Sequence, residues 1–235
     1  MSRTRLSTYT APPAEVTQAL AALRARYEVP TAFPPEALAE AEAAASAWAQ
    51  DGPSRLLSDG ARDARDLDLV TIDPPGSMDL DQAVRLERLT GQAESAGAAT
   101  GKAPRPAAYR VHYAIASLST FVTPGGALDA ELRRRGETIY APDAATPLHP
   151  EVLSHGAASL LEDVDRPACL WTIDLDARGE VVSAHVERAL VRSRARLTYA
   201  QVQAAINGEG ALPPSAPDDL PGLLAEIGQI GRAHV

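Results

Sequence analysis

Apolar residues recur along this chain with two different periods, and the change from one to the other divides it. Between Ala14 and Tyr27, the residues Val16, Leu20 and Leu23 fall at helical spacing, and Pro30 ends the run. A second, Ala-rich helix is expected from Pro35 to Gln50, with Pro35 near its start and Gly52 past its end. After residue 59 alternation takes over. Leu67, Leu69, Val70 and Ile72 make a short apolar run, and a strand is expected over 84–89. Tyr109, Val111, Tyr113 and Ile115 alternate with Arg110, His112 and Ala114, which predicts a strand with one apolar face. Trp171, Ile173 and Leu175 alternate again, and the turn Asp176-Ala177-Arg178-Gly179 leads into an antiparallel partner carrying Val181, Val182 and Val186. Pro124-Gly125-Gly126 turns the chain into a short helix over 127–135. Thr198 caps a helix to about Ile206, and a last helix begins over Leu223 to Ile227. Residues 1–11 are polar and expected to be loose. Thr90 to Ala108, rich in Gly, Ala, Ser and Pro, reads as a flexible insertion. No internal repeat is present.

Composition narrows the picture. The 235 residues, 45% of them hydrophobic but only 4% aromatic, leave Ala, Leu and Val to fill much of the core of one large or two small domains. The single cysteine, Cys169, rules out an intramolecular disulfide and fits a reducing cytoplasm, and its neighbours Ala168 and Leu170 suggest a buried thiol. There is no apolar signal core and no run of membrane-spanning length, so the expectation is a cytoplasmic protein away from membranes. The formal net charge of −9 argues against non-specific nucleic-acid binding on bulk charge, although local clusters outweigh the sum. Arg133, Arg134 and Arg135 run together, while Arg192, Arg194 and Arg196 would share one face of a strand. Each set suits RNA contact or an ordinary solvated face equally well.

The most informative stretch is Thr71-Ile72-Asp73-Pro74-Pro75-Gly76-Ser77-Met78-Asp79-Leu80-Asp81-Gln82-Ala83-Val84. Pro74, Pro75 and Gly76 force a loop after Asp73. A strand would deliver Asp73 to its end, and alternation lets Asp79 and Asp81 point the same way. Three carboxylates at close range repel unless a cation sits among them, and hard oxygen donors suit Mg²⁺ or Mn²⁺. The same acids also fit a solvated loop, because Asp is common in turns. The spacing does not match a calcium loop, and His112, His149 and His155 lack zinc spacing.

These residues resemble the acidic motif of the ribonuclease II/ribonuclease R (RNB) family, which carries Thr-Ile-Asp, a short loop and Asp-x-Asp-Asp-Ala. The likeness continues through Tyr109–Ala116, Phe121–Asp129, Arg134–Asp143, Pro147–Ser154 and Arg192–Tyr199. It implies an α+β fold: an RNB-type catalytic domain with a mixed, largely antiparallel sheet flanked by helices, incomplete and preceded by a short helical leader. The boundaries it suggests are 1–58 for the leader and 59–229 for the N-terminal portion of the RNB domain. Residues 230–235, Ile-Gly-Arg-Ala-His-Val, resemble a translated sequencing adapter. By resemblance the activity is 3′-to-5′ hydrolysis of single-stranded RNA to nucleoside 5′-monophosphates with Mg²⁺, or Mn²⁺ in its place. No obligate protein partner is inferred. Asp73, Asp79 and Asp81 match motif acids that hold the metal, and Asp81 also matches the acid on which catalysis leans most. Gln82 stands where the family has a fourth acid; its carbonyl oxygen can ligate Mg²⁺ but adds no charge. Ser117 stands where the family commonly has Asp. Tyr140 matches a tyrosine that packs on the terminal nucleotide, a contact of about 1–3 kcal/mol per base in stacking platforms. The family's later arginine and glutamate and its S1 domain have no counterpart in these residues, so this stretch alone is expected to be inactive. The competing reading is a catalytically silent RNB-like module that binds RNA or protein.

Overall fold

The computed structural model describes residues 14–89 and 106–233. The polar N-terminus, most of the Gly/Ala-rich insertion and the end of the adapter-like segment lie outside the described residues. In chain order the elements are α1 (Ala14–Arg26), α2 (Pro35–Ser58), β1 (Arg62–Asp63), β2 (Leu69–Asp73), β3 (Gln82–Arg88), β4 (Tyr109–Ala116), α3 (Ala127–Arg135), β5 (Ile139–Tyr140), β6 (Ala145–Thr146), β7 (Asp165–Leu175), β8 (Val181–Thr198), α4 (Tyr199–Ile206) and α5 (Leu220–Ala233). A 3₁₀ turn, Leu118–Phe121, follows β4, and a π-type turn, Val152–Ala157, precedes β7. The chain divides into two compact units, one drawn from Met1–Glu40 and Thr123–Pro150, the other from Ala41–Val122 and Glu151–Val235.

The second unit carries a six-stranded mixed sheet in the order β1-β8-β2-β3-β4-β7, with β7 and β8 also paired. The long strand β8 explains this double pairing. It runs antiparallel to β7 as far as Arg192 and then, from Ser193 to Thr198, parallel to β2. The hydrogen-bonded neighbours β2, β3, β4, β7 and β8 therefore form a closed circuit. Small side chains pack one side of it: Ala64, Ala83, Ala114, Ala168 and Ala189 are buried with Leu69, Leu80, Leu160, Leu170 and Val191. On the other side Val70, Leu86, Tyr109, Ala195 and Leu197 pack against Val202 of α4 and Leu220 and Leu223 of α5. Thr198 caps α4 as its sequence predicts: its hydroxyl accepts the Gln201 N–H, and the Gln201 side chain accepts the Thr198 N–H. The α+β class and the mixed, mainly antiparallel sheet agree with the expectation.

Three expectations are corrected. Helix α2 does not stop at Gln50 but continues through Gly52 and Pro53 to Ser58. Gly52 lies against the Trp48 ring, and the helix continues because that close approach is packed rather than open; Trp48 in turn meets Phe121 edge to face at 5.7 Å. On β4 the expected apolar face is reversed towards its far end: His112 and Ala114 are buried, whereas Ile115 is 38% exposed. Both faces of β4 are packed: Ala114 lies in the small-residue core inside the circuit, while Tyr109 and Val111 pack on the side of α4 and α5. Cys169 is half-buried, because it faces away from its buried neighbours Ala168 and Leu170.

The first unit has its own logic. The β5–β6 hairpin is held to α1 by Arg24, which donates to both carboxylate oxygens of Asp143 (3.0 Å for Nη1 to Oδ2). Arg135, at the end of α3, pairs with the buried Glu131 at 2.8 Å, donates to the carbonyls of Ala32 and Pro147 at 2.7 and 2.9 Å, and covers the Phe33 ring at 3.6 Å. Among the described residues no helix is long and apolar enough to cross a membrane.

Candidate active site

Strand β2 ends at Asp73, directly beside Thr198 of the parallel strand β8. Pro74, Pro75 and Gly76 then form the loop required by their chemistry, closed by the Ser77 N–H to the Pro74 carbonyl at 3.2 Å, with Gly76 at φ +88. The return is set by Leu80. This side chain is fully buried, its N–H donates to Ser159 Oγ at 3.1 Å, and its carbonyl accepts the Leu160 N–H at 2.7 Å. Ser159 Oγ also donates to the Met78 carbonyl at 2.6 Å. With Leu80 pinned inward, its two neighbours Asp79 and Asp81 are turned out to solvent. Asp81 is further held by its carbonyl, which accepts the Ala116 N–H at 2.9 Å.

Asp73 is half-buried, and its carboxyl is pushed above the ordinary carboxylate range. Burial is the main cause, the charges of Asp81 and Asp79 add to it, and Arg196 opposes it. The three motif acids thus lie within electrostatic reach of one another. Among the described residues, however, no three His, Cys, Asp or Glu side chains stand so as to hold one metal ion. The set is a concentration of negative oxygen donors on a fixed backbone, not a closed cage. The donor chemistry of the three carboxylates fits a hard divalent cation.

Gln82, the first residue of β3, is exposed, and its Oε1 accepts the hydroxyl of Tyr113 from β4. Ser117, just past β4, spends its hydroxyl on the local turn, accepting from Thr120 at 3.0 Å and lying 3.3 Å from Ser119. Tyr140 belongs to the other unit. It stands on the β5–β6 hairpin, 79% exposed, with no core around it. The structure therefore puts Asp73 in the electrostatic reach of Asp79 and Asp81, Gln82 on Tyr113, and Tyr140 on an exposed hairpin.

Most of the clustered arginines make ion pairs within the chain. Arg133 pairs with Asp129, and Arg134 and Arg135 both pair with Glu131. Arg192 pairs with Asp165 and Arg194 with Asp68. Arg196 instead lies near Met78 Sδ, at 3.8 Å, and faces the field of Asp73. Ser159, Tyr113 and the exposed Tyr199, which follows the partner of Asp73, were not singled out from sequence for this site. An apolar residue between two acids was the available signal for an inward anchor at Leu80, but its partner Ser159 is distant in sequence and carries no local mark.

The RNB domain profile matches residues 61–232. Ribonuclease R of Acidithiobacillus ferrooxidans is 33% identical over 186 residues, which are 79% of this chain and 38% of that protein. Ribonuclease R of Escherichia coli is 35% identical over 150 residues, covering 64% of this chain and 17% of the relative. The chain therefore spans well under half the length of these relatives. Among solved structures, RNase R of Mycoplasma genitalium in complex with double-stranded RNA superposes with a TM-score of 0.64 over 79% of this chain and 30% of that one, at 22% identity, a likeness of fold.

Proposed function

We propose, from the premise that this chain belongs to the RNB domain family, that it supplies the carboxylate side of a 3′-to-5′ exoribonuclease site. The substrate is single-stranded RNA, the products are nucleoside 5′-monophosphates, and the cofactor is Mg²⁺, with Mn²⁺ able to replace it. The observation that carries this reading is the placement of Asp73 in the field of Asp79 and Asp81, on a loop whose backbone is anchored by buried Leu80.

Asp73, Asp79 and Asp81 would hold the cation. When bound, such an ion lowers the pKa of a coordinated water and offsets charge on the oxygens of an in-line displacement. Asp81, exposed on a backbone fixed by Ala116, orients the attacking water by accepting its hydrogen bond. Asp73 contributes from its half-buried position at the strand end, where its raised proton affinity marks charge that a cation would relieve. Tyr140 offers an exposed aromatic face on which a base can stack whatever its identity.

The test is to incubate protein made from the intact gene with 5′-labelled single-stranded RNA, with Mg²⁺ and with chelator. The reading expects stepwise shortening that needs the cation and disappears in Asp81→Asn. RNA that is bound but never shortened would favour a silent module instead.

A further inference from the structure

The position after Asp81 departs from a carboxylate, and its surroundings say what the amide does there. Gln82 pairs with Ile115 across β3 and β4, and Val84 pairs with Tyr113, so Gln82 and Tyr113 are diagonal neighbours on one face of the sheet. The Tyr113 hydroxyl donates to Gln82 Oε1. With one lone pair of Oε1 taken by Tyr113, the exposed amide also has an NH₂ group to offer, two donors without a charge. Gln82 is exposed and next to Asp81 in sequence, so those donors belong to the residue at which the acidic motif would have its fourth oxygen ligand. N–H dipoles repel a cation and attract an anionic oxygen.

Resting on the RNA-cleaving reading above, we infer that Gln82 contacts a phosphate oxygen of the RNA rather than the metal ion, and that Tyr113 is the positioning residue that fixes the amide in that orientation. The departure from a fourth acid then exchanges a metal ligand for a substrate contact. Cation binding is left to Asp73, Asp79 and Asp81, and backbone binding gains one neutral donor pair.

Two titrations on protein from the intact gene separate the roles. Mn²⁺ affinity is measured from the electron paramagnetic signal of the free ion. Affinity for a labelled single-stranded oligoribonucleotide is measured by fluorescence anisotropy in EDTA, where no metal contributes. Gln82→Ala should leave Mn²⁺ affinity within about twofold and weaken RNA binding about tenfold, the loss expected for one hydrogen bond to a charged acceptor. Tyr113→Phe, which leaves Gln82 in place but unlocked, should weaken RNA binding in the same direction by about threefold without loosening Mn²⁺. Gln82→Asp should tighten Mn²⁺ and weaken RNA. Circular dichroism checks that each variant folds. A Gln82→Ala protein that loses Mn²⁺ tenfold while binding RNA normally overturns the inference. Wild-type protein that binds RNA in this Gln82-dependent way but never shortens it would sink the nuclease reading alone; wild-type protein that binds no RNA in EDTA sinks this one.

Discussion

Ser159→Ala removes a single hydroxyl yet should be among the more damaging changes in the second unit. Ser159 is 2% exposed and Leu80 is fully buried, so water cannot replace the bond between the Leu80 N–H and Ser159 Oγ. A buried donor left without an acceptor costs about 1–3 kcal/mol. The Met78 carbonyl also loses its donor, but Met78 is partly exposed, so that loss is nearer the ordinary net value of about 0.5–1.5 kcal/mol. Together they predict destabilisation of roughly 2–4 kcal/mol, a large share of the roughly 5–15 kcal/mol that holds a typical domain folded. Urea unfolding followed by tryptophan fluorescence reads this as a lower midpoint with an unchanged slope. Because the same hydroxyl pins the backbone on either side of Asp79, the proposed cation site would be loosened as well. Ser117→Ala is the control: its hydroxyl bonds only within an exposed turn, and its removal should stay within about 0.5 kcal/mol. If Ser159→Ala unfolds at the same denaturant concentration as wild type, or the two alanine variants are indistinguishable, the anchor does not act as described.

Other changes test other joints. Gly52→Ala would place a methyl group 2.4 Å from a ring carbon of buried Trp48, so a loss of about 1–3 kcal/mol should outweigh the roughly 1 kcal/mol that Ala normally adds to a helix; thermal melting decides the sign. Arg135→Ala leaves Glu131 buried beside one remaining partner and frees two carbonyls, which predicts a loss of about 3–5 kcal/mol in chemical denaturation. Asp73 has a folded-state pKa above its unfolded value, so the folded protein binds more protons and gains stability as pH falls through that raised pKa. Above it, ionised Asp73 weighs against folding. Asp73→Asn should therefore raise the melting temperature at neutral pH, and the gain should shrink as the pH is lowered below the ordinary carboxylate range. A gain that persists unchanged in acid would refute this assignment.

Much of this architecture could be read ahead because it is local. The proline pair after Asp73, the strand-forming runs of β4 and β7, and the Thr198–Gln201 box all act within a few residues, and the structure has the loop, both strands and the cap, although β7 buries Ala168, Leu170 and Asp174 rather than Trp171, Ile173 and Leu175. What was hidden depends on distant neighbours. Helix α2 crosses Gly52 and Pro53, a pair that usually marks a stop, because Gly52 packs on Trp48. On β4 burial changes face along the strand, from Tyr109 at its start to His112 and Ala114 further on, because the two sides of the sheet meet different cores. At the candidate site the acids and Gln82 were visible as letters. Their support was not: Ser159 and Tyr113 reach the motif from elsewhere in the chain, and neither carries a sequence signature. The ion pairs of the arginine run were also out of sight, since Arg133 pairs with Asp129 and Arg134 and Arg135 with Glu131, all in their own helix.

The exchange of partners along β8 also sets an order of events during biosynthesis. Asp73 leaves the ribosome early, but the strand that lies beside it is completed only at Thr198, after β7 and the first stretch of β8 have been made. Until then β2 lacks one flank, and the loop carrying Asp79 and Asp81 has no Ser159 to grip. Pairings this distant in sequence form slowly, because the intervening loop must close before the contact can repay it. Nascent chains would thus carry the three carboxylates on a segment without its flanking strand until the end of β8 has been made.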